Sequence, residues 1–302
     1  MSNINDINYD SWKEELISEL ITSIIGTNIQ KQKAYEEVGR YYMCYAPISL
    51  YKYYSDQQLD WNTVENNKMW YSAACNFNDV FDCDIYIDEE KILNSMLLIA
   101  TNNKGARRGS QIWLQLKQAL SKELPSLEET LNSLKSTMGI SCLSEINDSL
   151  LMWAHYANNH KGICVEYNLM EINKKLGFSP VPIIYSENKV AFNTFSQDFS
   201  DDDATTVLIK SITSKSPEWS YEKEWRIIRD NAACGNNWND VTKGALLDMI
   251  QPSSIILGCM ATPEFENVVH EHCKANHINL YKMEKDKSCY NLTKKTIFEF
   301  KK

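Results

Sequence analysis

The stretch GISCLSEINDSLLMWAHYANNHKGICVEY, Gly139–Tyr167, decides how the chain is read. It opens on Gly139-Ile140-Ser141-Cys142-Leu143-Ser144, an apolar run with the length of a buried strand. Asp148 or Ser149 then stands where a helix needs an N-cap, ahead of Leu150–Ala157. It closes on Gly162-Ile163-Cys164-Val165-Glu166-Tyr167, a second strand. Outward from this core, strands are expected at Ile48–Tyr54, Lys68–Ala73, Pro182–Tyr185, Glu224–Arg229, Ser254–Gly258, Ile278–Met283 and Thr296–Phe300. Helical patterning covers residues from about 11 to 45, Leu59–Asn66, 204–215 and Pro263–Asn276. A long helical stretch, about 88–137, is expected to break near Asn102–Gly109 and at Pro125, and the polar run 193–203 reads as a loop.

Strands outnumber the helices between them, and no regular βαβ repeat appears. The expected class is α+β, a mixed or antiparallel sheet core with a helical N-terminus and a helical insertion. The expected organisation is an N-terminal helical segment over 1–46 and a single α+β domain over 47–302, with a helical lobe at about 88–137. The strands near 50–54, 68–73, 139–144, 162–168 and 223–229 should share one core, as one mixed sheet or two packed sheets.

Composition narrows the function classes. The 302 residues are 43% hydrophobic and 24% charged, an ordinary globular balance that can bury a core without metal or disulfide staples. The formal net charge is −9, which argues against general duplex DNA binding, since that rests on many cationic contacts to phosphates. Lys104, Arg107, Arg108, Lys117 and Lys122 form one locally basic stretch. No apolar run reaches the length of a membrane span, and the first residues lack the basic and apolar regions of a signal peptide, so a cytoplasmic protein is expected. Nine cysteines without a C-x-x-C suggest reduced thiols and no structural zinc. Rossmann, P-loop, zinc-peptidase and α/β-hydrolase motifs are all missing from the sequence.

Four segments carry candidate chemistry. In Met152–Gly162, Trp153 and Tyr156 are i, i+3 neighbours on the expected helix and would share a face, with His155 beside them. That is either the lining of a planar ligand or an aromatic core plug. In Trp219–Arg226, an extended chain would put Glu222, Glu224 and Arg226 on one face and Tyr221, Lys223 and Trp225 on the other. That is either a salt-bridged solvent face or a carboxylate held by an arginine and aimed at a sugar or hydroxyl. Asn78 and Asp79, between Phe77 and Phe81, form either a structural Asx turn or part of a pocket mouth. Lys52, on one strand face with Tyr54, is either a phosphate contact or a snorkelling surface residue.

The segments LYKYYS, WYSAACNFNDVFD, ISCLSEINDSLLMWAHYANNHKGICVEY and YEKEWRII, in this order, resemble the bacterial family catalogued as domain of unknown function 2971, over about Leu50–Leu257. The opening strand, short helix and aromatic–Ser strand are also similar to the start of ADP-ribosyltransferase-like domains. That similarity implies NAD as substrate, without a metal. It implies Lys52 or Tyr53 at the first-strand position, Tyr71 and Ser72 at the second, and Glu222 or Glu224 as the late-strand glutamate. Trp153, Tyr156, Asn78 and Arg226 complete the expected binding set, and Glu224, Glu222 and His155 the catalytic one. The function so implied is an NAD-consuming enzyme acting on a protein or nucleic-acid acceptor, an intracellular bacterial toxin or phage-defence effector. Two alternatives stand beside it. One is a non-catalytic module sensing a nucleotide or a phage protein. The other is a nuclease using Asp79, Asp82 and Glu222 as magnesium ligands.

Overall fold

A computed structural model describes residues 11–102, 104–193 and 201–300, with backbone alone at 201–203. Its class is α+β, with a mixed, mostly antiparallel sheet and N-terminal helices. The chain divides into two compact units. The first takes Met1–Tyr45, Ala74–Thr137 and Ile184–Pro217, and the second takes Ala46–Ala73, Met138–Ile183 and Glu218–Lys302. The division thus follows a different line from the one expected: the N-terminal helices and the helical lobe fall in one unit.

The first unit is mainly helical, with helices Ser11–Ile25, Asn28–Tyr45, Glu89–Ala100, Gln111–Thr137 and Asp201–Ile212. Ile92, Leu93, Leu97, Leu120 and Phe192 form one of its cores, fed by apolar positions at helical spacing. The Asp88 side chain caps the Glu89–Ala100 helix, accepting from the Lys91 N–H at 3.1 Å. Two expectations are corrected here. Pro125 lies inside a continuous helix and does not break it. Asp201–Asp203, read as loop, start the helix that runs to Ile212, while 194–200 lie outside the described residues.

The second unit is built on an eleven-stranded sheet. Its strands are β1 (Ser49–Tyr54), β2 (Lys68–Ala73), β3 (Met138–Ser144), β4 (Ile163–Asn168), β5 (Val181–Pro182) and β6 (Glu224–Asp230). They continue as β7 (Trp238–Asn239), β8 (Gly244–Asp248), β9 (Ser254–Leu257), β10 (Asn279–Lys285) and β11 (Leu292–Phe298). The five strands expected to share a core do so. All pairings are antiparallel except β9 with β10.

The centre of this sheet is β3, and its two edges differ. Along one edge β6 pairs over the full length, from Glu224↔Ser144 to Asp230↔Met138. Along the other, β2 pairs at Gly139 and Ile140, and β1 pairs only at Ser144. The sheet is therefore split beside Ser141, Cys142 and Leu143. Lys52 fills the split: its Nζ donates to the Cys142 carbonyl at 2.9 Å, where a neighbouring strand would have offered an N–H.

Side-chain alternation and register give the sheet two distinct faces. Tyr51, Tyr53, Ser72, Cys142, Glu224 and Arg226 share one, covered in part by the helix Leu150–Tyr156. Lys52, Tyr54, Tyr71, Ser141, Tyr167 and Arg229 share the other. We call these the helix face and the tyrosine face.

Candidate functional site

The helix Leu150–Tyr156 is started by Ser149, whose hydroxyl accepts from the Met152 N–H at 3.3 Å. Its end is sharp because Asn158, Asn159 and His160 all adopt left-handed backbone (φ 44°, 54° and 66°). Gly162 then lets the chain pass against β1: a Cβ there would lie 2.0 Å from the Tyr54 carbonyl oxygen. This turn fixes the helix over the sheet. Trp153 is fully buried, donates from Nε1 to the Asn147 carbonyl at 2.7 Å and meets Tyr53 edge-on at 5.3 Å. The aromatic-plug reading holds for Trp153 itself. Tyr53, also buried, donates from its hydroxyl to the Ile146 carbonyl at 3.0 Å.

The acidic segment departs from the expected extended chain. Pro217–Glu222 is a 3₁₀ turn, Lys223 has φ 47°, and β6 begins only at Glu224. Glu222 is therefore not on the strand, and simple alternation through 221–226 fails. Ser144 holds the turn by donating from Oγ to the Glu222 carbonyl at 2.6 Å. The left-handed Lys223 swings Tyr221 and Glu222 toward the aromatic helix. The Tyr156 hydroxyl donates to Glu222 Oε1 at 2.6 Å, and the Tyr221 hydroxyl lies 3.1 Å from His155 Nδ1. The two segments singled out in the sequence thus meet.

Glu222 is 4% exposed, Glu224 2% and Arg226 0%, so the salt-bridged solvent face does not exist. Arg226 holds Glu224 with two donors: Nε at 2.7 Å from Oε1, and the Nη2 at 3.3 Å from Oε2. Trp225, on the opposite side of β6, donates from Nε1 to Glu145 Oε1 at 2.7 Å. Burial pushes the Cys142 thiol well up, and the neighbouring Glu224 carboxylate adds to this. Burial pulls the Lys52 ammonium below the usual lysine value, against the fields of Asp60 and Glu224.

The expected site residues separate into three places. Glu222, Glu224, Arg226, His155, Tyr156, Trp153, Tyr53 and Ser72 belong to the helix face or the elements covering it. Lys52 and Tyr71 project from the tyrosine face, Lys52 reaching into the split. Asn78 belongs to the first unit, exposed in the turn where Asp79 Oδ1 accepts from the Phe81 N–H at 2.9 Å, an Asx turn. Asp79 and Asp82 lie in that unit and Glu222 in the other. Among the described residues, no three His, Cys, Asp or Glu side chains cluster as a metal site, and no helix is long and apolar enough to cross a membrane. The sequence reading missed the roles of Ser144 and Tyr221; only Tyr221 carried a signal, its place beside the acidic pair.

A family model described as a protein of unknown function (DUF2971) matches residues 152–227. That span is about a quarter of the chain, shorter than the resemblance over Leu50–Leu257, and it contains both the aromatic helix and the Glu222–Arg226 segment. No curated protein and no solved structure matches the chain.

Proposed function

We propose that the second unit is an NAD-consuming, ADP-ribosyltransferase-type enzyme whose reacting groups lie on the helix face. The observation carrying this reading is the pair of buried carboxylates two residues apart, with the Arg226 guanidinium on Glu224 and the Tyr156 phenol on Glu222. In the reaction the glycosidic bond to nicotinamide breaks and nicotinamide leaves with the bonding electrons. The ribose carbon becomes oxocarbenium-like, as in glycoside hydrolysis, and an acceptor nucleophile attacks it as it loses its proton. A rigidly held carboxylate suits that positive charge because it needs no reorganisation at the moment of reaction. In this reading Glu224 stabilises the ribose cation and Glu222 faces the acceptor. Tyr156 provides aromatic surface, backed from the core by the buried Tyr53 and Trp153, and Tyr221–His155 flanks the glutamates. The separation of Lys52 and Tyr71 onto the other face removes them from this set.

The test is incubation of the full chain with labelled NAD and a cell lysate, followed by separate protein and nucleic-acid fractions. Nicotinamide release, with label on one fraction, is the expected result, abolished in Glu222→Gln and Glu224→Gln. Glu222→Gln keeps an acceptor for the Tyr156 hydroxyl and so reports chemistry with little structural change. Intact NAD in every arm would leave the glutamates as structural groups of a non-catalytic module.

A further inference from the structure

The tyrosine face carries a cluster that the proposal above does not use. Tyr71 is 0% exposed, Ser141 1% and Tyr54 5%, yet their hydroxyl oxygens have no hydrogen-bond partner among the described residues. The Nε of Arg229 is buried and equally unpartnered among those residues. Its guanidinium lies 5.3 Å from the Phe178 ring. Buried polar groups in folded proteins are rarely left this way, because each unmet one carries its full desolvation cost.

Register shows why these groups belong together. The β2–β3 pairing, Ser72↔Ile140 and Ala73↔Gly139, continues by one step to set Tyr71 against Ser141. β1 parts from β3 after Tyr51↔Ser144, and Tyr54 lies three residues further along it, on the same face as Tyr71 and within its electrostatic reach. The split lies between the two departing strands, so both phenols border it from the one face. Gly139 makes this approach possible: a Cβ on it would lie 3.2 Å from the Tyr71 Cβ. Arg229 is paired with Gly139 across the other edge of β3, on the same face. Electrostatics place the groups near one another: against burial, the Arg229 guanidinium pulls the Tyr71 phenol down by charge and by a contact short of proper hydrogen-bond geometry, and Tyr167, in a like contact, and Tyr71 both act on Tyr54. The Lys52 ammonium, with one donor used on Cys142, projects from the same face.

Every member of this cluster can donate, and Arg229 and a charged Lys52 can only donate. The complementary ligand is an acceptor-rich anion. We propose that Tyr54, Tyr71, Ser141 and Arg229, at the split of the sheet, form a binding site for a phosphate-type oxyanion, either free or as part of a nucleotide. The site stands whether or not the chain turns over NAD.

The probes are inorganic phosphate and pyrophosphate, added to the full chain at constant ionic strength with chloride as control, read by thermal shift and titration calorimetry. Phosphate or pyrophosphate is expected to raise the melting temperature where chloride does not. Arg229→Gln and Tyr71→Phe should each weaken binding tenfold or more. Without anion, Tyr71→Phe should melt no lower than the parent, because the hydroxyl it removes makes no well-formed hydrogen bond. Displacement of pyrophosphate by NAD would identify a nucleotide as the source, and its absence a free anion; both support the site. No response to either anion, or a Tyr71→Phe variant that melts lower and binds unchanged, overturns it.

Discussion

The two faces of the sheet treat buried polarity in opposite ways. On the helix face the carboxylates are closed within the protein: Arg226 on Glu224, Tyr156 on Glu222, and Ser254 Oγ on Glu166 Oε2 at 2.5 Å. On the tyrosine face Tyr54, Tyr71, Ser141 and Arg229 keep unmet groups. A closed network rigidifies and is strongly destabilised by losing one member, whereas an open cluster loses nothing when an unmet group is removed. Substitutions should therefore act with different magnitude, and even different sign, on the two sides of one layer.

The sharpest way to break this contrast is Glu224→Gln. It removes the carboxylate charge facing the buried Arg226 guanidinium, and should cost about 3–5 kcal/mol, seen as a large fall in melting temperature. Replacing both residues by Met should restore most of the loss, because a buried pair exchanged for apolar volume is often near neutral. An unchanged melting temperature in the single variant would mean that the helix face is not closed.

Alkaline pH probes both faces at once. Burial pushes Tyr51 on the helix face and Tyr71 on the tyrosine face each up to about 12. A phenol whose folded pKa exceeds its unfolded value near 10 stabilises the fold fully below pH 10 and loses that contribution as pH rises toward 12. Tyr53 and Tyr54 are raised in the same direction. Lys52, lowered by burial, works the other way as one group against several. Urea denaturation should show stability falling between pH 10 and 12, with a shallower fall in Tyr71→Phe. A flat profile would contradict the burial of these phenols.

Tyr156→Phe tests the second clamp. It removes the donor to a nearly buried carboxylate and should cost about 1–3 kcal/mol in denaturant titration, far less than Glu224→Gln. The smallest effect belongs to Ser141→Ala, predicted to change stability by less than about 0.5 kcal/mol in the absence of anion; a loss above about 1 kcal/mol would show that its hydroxyl is closed like those of the helix face.

Much of the fold was legible in local pattern. Short apolar runs bounded by turn residues gave the core strands, and Pro263 and Ser149 marked helix starts that Thr262 and Ser149 cap. Pro125 misled because a proline inside a helix is a cost that surrounding packing can outweigh. The aromatic helix and the acidic segment were also legible as the segments carrying candidate chemistry. The orientation of Glu222 was not, because alternation assumes extended backbone, and Lys223 leaves it.

By itself the sequence determined the α+β class, most of the core strands and the identity of the two segments that carry the candidate chemistry, because hydrophobic period and capping chemistry act within a few residues. Tertiary structure alone decided which edge of β3 stays unpaired, and so where Lys52, Tyr54, Tyr71 and Ser141 come to lie. Strand order is a long-range choice between pairings of similar local energy, and no residue along β3 records in its own neighbourhood which partner arrives and which falls short.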